Sequence, residues 1–108
     1  MIKPRPKPDD ILARLVAQAI DHGADGLEIE YKDGHEEVCA MKGCFGFGIA
    51  RMPSSSEEAT ALRDQLCAIG RKGKTITTAA GDFRLKVSPF ESFGETAYLV
   101  EIQKRPSK

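Results

Sequence analysis

The chain has 108 residues, of which 41% are hydrophobic and 30% charged, enough for one domain with one modest core and too apolar for disorder throughout. Lys+Arg 16 against Asp+Glu 16 leaves zero formal net charge, which argues against a chain dominated by a polyanion-binding field. No run approaches the roughly 20 apolar residues that cross a bilayer, and the start has no signal-peptide pattern, so a cytoplasmic protein without membrane insertion is expected.

Residues 1–8, MIKPRPKP, alternate proline with Lys3, Arg5 and Lys7 and read as a flexible basic arm. A single α+β domain is expected over 9–103, followed by a polar, frayed tail over 104–108. Asp9 or Asp10 is the expected cap of a first helix. Ile11, Leu12, Leu15, Val16, Ala19 and Ile20 recur at steps of three and four and form its apolar stripe. His22-Gly23 ends it.

Leu27, Ile29 and Tyr31 alternate with Glu28, Glu30 and Lys32, the period of a half-buried strand. Asp33-Gly34 is a hairpin signal, and 37–41 is the returning strand. A turn at Lys42-Gly43 then leads to a glycine-weakened third strand near 46–52, whose phenylalanines are expected to cover the core. Pro53 and the serines stop that strand. Ser55 and Glu58 have capping-box spacing at the start of a second helix. Its buried face is Ala59, Leu62, Leu66 and Ile69, and Gly70 or Gly73 ends it. Strands at 75–79, 83–88 and 96–103 follow, with a turn at Gly81-Asp82.

The order α-βββ-α-βββ predicts an antiparallel sheet with one wet face, covered on the other by two amphipathic helices. A PAS-like arrangement is one candidate; strand order is not set by periodicity.

In sequence order, Gly23-Ala24-Asp25-Gly26-Leu27-Glu28-Ile29-Glu30, Lys42-Gly43, Phe83-Arg84-Leu85-Lys86-Val87-Ser88 and Gly94-Glu95 resemble the motifs of a known domain. It is the N-terminal, pre-motor α/β domain of type II secretion and type IV pilus-assembly ATPases. In that family the segments read G-A-S-D-I-H-I-E, R-x-R-x-D-G, I-D-L-R-V-S and G-E. The chain departs at Glu28, where the family has histidine, and at Val38, Ala40, Lys86 and Val100, where it has arginines. Lys42 replaces an aspartate. Losing arginines removes the planar fork that reads phosphates or carboxylates, and no G-x-x-x-x-G-K-[ST] loop is present. The resemblance implies an ATPase-derived domain without a motor, and partners in secretion or pilus machinery.

His35, Cys39, Cys44 and Cys67 are weak candidates for a metal set, because Cys39-x₄-Cys44 lies at the loose edge of zinc-ligand spacing. The competing expectation is three reduced, partly buried cysteines acting as small apolar groups. The pairs Glu36-Glu37 and Glu57-Glu58 read as solvated. No nucleophile and base stand in motif context, so an enzyme is not expected and no cofactor is assigned.

Gly46-x-Gly48-x-x-Arg51 lacks the helix that a dinucleotide fingerprint needs directly after it. Arg84 and Lys86 form one candidate contact face, and Lys42, Gly43, Phe45 and Phe47 another. Few aromatics accompany the basic residues, which argues against nucleic acid. The expected role is a non-catalytic adaptor or regulator that binds a protein, with a small-ligand sensor as the alternative.

Overall fold

A computed structural model describes residues 11–92 and 94–105. The expected cap at Asp9 or Asp10 and the basic arm lie outside the described residues. The elements are α1 (Ile11–Asp21), β1 (Gly26–Lys32), β2 (His35–Lys42), β3 (Phe45–Pro53), α2 (Glu57–Ile69), β4 (Lys74–Thr78), β5 (Gly81–Ser92) and β6 (Glu95–Lys104), with a 3₁₀ turn at Gly70–Lys72. The α+β class and the α-βββ-α-βββ order are as expected.

Six antiparallel strands form one sheet in the order β3-β2-β1-β6-β5-β4. Two three-stranded meanders therefore meet through β1 and β6, and β3 and β4 are the edges. Alternation sends Leu27, Ile29, Val38, Ala40, Phe83, Leu85, Val87, Val100 and Ile102 to the face that carries both helices. Ile11, Leu12, Leu15, Val16 and Ala19 of α1 and Ala59, Leu62 and Leu66 of α2 complete that core. Gln65 of α2 accepts the Leu12 amide at 3.0 Å, satisfying one of the amides left over at the start of α1.

The β1–β2 and β2–β3 hairpins use the turns that right-handed strand twist favours. Asp33 (φ 52°) and Gly34 (φ 80°) have the two positive angles of a type I′ turn. At Gly43-Cys44 only Gly43, at φ 58°, is positive, which is type II′.

Three local expectations need correction. The cap of α2 is Ser56, whose hydroxyl accepts the Ala59 amide at 3.1 Å; Ser55 is exposed, and no Ser55–Glu58 box forms. The β4–β5 turn lies at Ala79-Ala80, with Thr78 Oγ1 accepting the Ala80 amide and Gly81 already opening β5. The last strand also runs further than expected. Lys104 pairs with Phe83, and the Arg105 amide donates to Asp82 O, so neither residue is frayed.

Candidate functional site

The β2–β3 hairpin brings Lys42, Gly43, Phe45 and Phe47 to one corner of the sheet. Lys42 is paired with Phe45 and Ala40 with Phe47. Ala40 faces the core, so Phe47 points to the helix side of the sheet. There its ring meets His22, at the end of α1, edge-on at 5.3 Å. Phe45 is 76% exposed and Phe47 40% exposed. The expectation that these rings cover the core is therefore wrong: α1 ends at Asp21 and leaves the loop-proximal half of β3 uncovered. The glycines are well placed nonetheless. A Cβ on Gly46 would lie 2.6 Å from Met41 Sδ, so Gly46 lets that side chain cross the open face.

Further along β3 the strand bulges opposite Val38 and Cys39, which inserts Ile49 between the pairs Cys39/Gly48 and Val38/Ala50. From 45 to 50 the edge strand carries no charge. The other edge, β4, is shorter, bears Lys74 and is mostly threonine.

Arg84 and Lys86 lie together on the open face of β5, four strand positions from β3, or about 19 Å at ordinary strand spacing. They do not join the hairpin in one surface. The Arg84 guanidinium donates to Lys72 O at 2.6 Å and packs over Gly73, fastening the turn after α2 to the sheet. Lys86 stands directly opposite Glu101 on β6.

A polar cleft of about 380 Å³ opens on the helix side and includes Tyr31, Glu36, Arg63 and Tyr98 in its wall. Glu36 is only 4% exposed, which corrects its reading as a solvated residue. Its Oε2 accepts Ser54 Oγ at 2.5 Å and faces Arg63 Nη1 at 3.4 Å, while Arg63 Nη2 donates to Ser54 O at 3.1 Å. These bonds tie the end of β3 to β2 and α2. The signal was present in the sequence: Glu36 shares the parity of Val38 and Ala40, both core residues. Beside the cleft, burial and then the contact with Cys67 raise the Tyr98 hydroxyl above its ordinary value; Cys67 Sγ lies 3.7 Å from Tyr98 Oη.

The four weak metal candidates are dispersed. Cys39 sits on the open face of β2, Cys44 in the β2–β3 turn and Cys67 on α2, across the sheet from Cys39. His35 Nδ1 lies 3.0 Å from Asp33 O. No cluster of three metal-ligating side chains occurs among the described residues. Cys44 and Cys67 are exposed, contrary to the expectation of partial burial. Burial raises the Cys39 thiol first, with Glu28, Glu37 and Glu30 adding to the shift, which disfavours the nucleophilic thiolate there. Burial likewise raises the Glu28 carboxyl, reinforced by the charge of Glu30 and a hydrogen bond with it. No helix among the described residues is long and apolar enough to cross a membrane.

Scanned against protein-family models, the chain matches none, and a search of curated proteins likewise finds no match. The likeness to secretion and pilus ATPases rests on the order of its short motifs alone.

Proposed function

We propose that the chain is a non-catalytic protein-interaction domain that docks through the β2–β3 hairpin and the free edge of β3. The observation that carries this reading is Phe45 at 76% and Phe47 at 40% exposure, side by side on the uncharged stretch 45–50 of the edge strand. Exposed aromatics on an edge that no other strand among the described residues pairs with suit capture of another chain by strand addition. The Arg84/Lys86 face is a weaker contact, because Arg84 is already bound within the fold. The motif resemblance proposes secretion or pilus machinery as the source of the partner, which would make this domain an adaptor or regulator.

The test is quantitative affinity capture from native extract with the unaltered domain, a Phe45→Ser/Phe47→Ser variant and a Lys86→Glu variant. A specific protein retained by the first and third and lost from the second supports the reading. Equal recovery by all three removes the hairpin as the docking surface.

A second reading, a small-ligand sensor, has one observation in its favour. An apolar groove of about 350 Å³ lies between the helices and the β4 side of the sheet, lined by Leu12, Ile69, Ile76 and Leu85 among others. Saturable protection of amides around that groove by a metabolite would favour it over docking.

A further inference from the structure

We propose that the strand added to the β3 edge is β3 of a second copy of this chain, antiparallel and centred on Phe47, so that two sheets join into one of twelve strands. This inference rests on the reading of β3 as the docking edge and names its occupant.

The backbone alternation supplies the register. In a two-residue hairpin the loop-closing pair, here Lys42 and Phe45, exchanges both of its backbone hydrogen bonds. The next outward-facing backbone groups on β3 are then those of Gly46 and Gly48. A second β3 placed about a two-fold axis through Phe47 sets Gly46 opposite the partner's Gly48 and Gly48 opposite the partner's Gly46. Both outward pairs are thereby used, giving four new backbone bonds. A register centred on Gly46 or Gly48 uses only one such pair.

The side chains fit the same axis. Phe47 falls opposite the partner's Phe47, and Phe45 opposite the partner's Ile49, all on the helix side of the joined sheet. Cross-strand aromatic and aromatic–aliphatic pairs of this kind favour sheet formation. On the open face the opposed residues are glycines, which bring no side chain of their own to the seam, and the flexible Met41 side chain lies over Gly46. Residues 45–50 carry no charge to repel their own image. Pairing of β3 with β4 would be head-to-tail and open-ended, and Lys74 and the short, threonine-rich β4 oppose it.

The interface is small. Two phenylalanines and five backbone positions from each copy fall short of the roughly 1,200 Å² that stable complexes bury, so the dimer is weak and concentration-dependent.

The experiment is sedimentation of the full chain across about 10 µM to 1 mM, the range in which so small a contact associates. Its companions are a Phe47→Lys variant, which puts a charge on the axis, and a register probe. The probe compares Phe47→Cys with Phe45→Cys after Cys39, Cys44 and Cys67 are changed to serine. Mass is expected to rise from one 11.8 kDa chain towards two in the unaltered protein and to stay at one in Phe47→Lys. Mild oxidation is expected to link Phe47→Cys into dimers and to leave Phe45→Cys unlinked, because only position 47 faces itself. Circular dichroism and an unchanged urea midpoint confirm that Phe47→Lys is folded. A monomer across the whole range overturns self-pairing, as does a dimer that Phe47→Lys leaves intact or one linked through position 45 instead. If self-pairing fails while the capture experiment still depends on Phe45 and Phe47, the docking edge stands and only its occupant is wrong.

Discussion

Arg63→Met tests whether the buried carboxylate of Glu36 depends on its cation. Glu36 is 4% exposed and holds Ser54 Oγ at 2.5 Å and Arg63 Nη1 at 3.4 Å. Breaking a fully buried pair by removing one partner costs about 3–5 kcal/mol, because the remaining charge is stranded. The Arg63 side chain is 35% exposed and Ser54 stays in place, so solvent screening and the surviving bond reduce the cost to about 2 kcal/mol. Glu36→Gln keeps a hydrogen-bonding oxygen near Ser54 and leaves Arg63 bound to Ser54 O, at a cost of about 1 kcal/mol. Once glutamine is present there is no charge to strand. The double variant is therefore expected to be no less stable than Arg63→Met alone, a coupling of at least about 1 kcal/mol. Urea unfolding followed by far-UV circular dichroism reads this directly. At a slope of about 2 kcal/mol per molar urea, Arg63→Met moves the midpoint by about 1 M. The reasoning is refuted if Arg63→Met costs less than Glu36→Gln, or if the two losses simply add.

Three further outcomes follow from local geometry. Ser56→Ala removes the side-chain acceptor of the Ala59 amide and is expected to cost about 1 kcal/mol in thermal unfolding, whereas Ser55→Ala is neutral; equal effects would refute the assignment of the cap. Gly73 sits at φ +81° with a would-be Cβ 2.7 Å from Leu85 O, so Gly73→Ala is expected to cost about 2 kcal/mol or more. Gly34→Ala, at φ +80° with open space around it, is expected to cost only about 1 kcal/mol, and the urea midpoints rank the two.

The last outcome concerns pH. The folded Glu28 carboxyl lies above its ordinary value, so between the ordinary and raised values the folded state binds more protons than the unfolded one. That contribution to stability therefore falls as pH rises through the window, and the full cost of ionised Glu28 is present above it. Glu28→Gln is accordingly expected to gain stability relative to the unaltered chain as pH rises through that window, and then to hold the gain. A difference independent of pH would count against it.

Much of the fold was legible because each signal was local. The three- and four-residue spacing of Leu12, Leu15, Val16 and Ala19 and the alternation of Leu27 with Glu28 report the periods of helix and strand directly. Asp33-Gly34 and Gly43 announce turns because few residues tolerate the backbone angles those turns need. Errors arose where two local readings competed. Three adjacent serines offered the same cap, and Thr78 closes a turn at Ala79-Ala80, two residues before the expected Gly81-Asp82. The candidate site was less legible. Phe45 and Phe47 look like core residues until the length of α1 is known, and Glu36 looks like a surface acid until Arg63 is placed over it.

Sequence by itself thus determined the elements, their order and the apolar face of each, since those depend on spacing along the chain. Only the tertiary structure decided that β1 meets β6 and leaves β3 as an edge. It also decided that Arg84 serves the turn after α2, that the metal candidates fall on opposite sides of the sheet, and that two phenylalanines are left uncovered. Those outcomes depend on which segments distant in sequence become neighbours, and periodicity carries no information about neighbours.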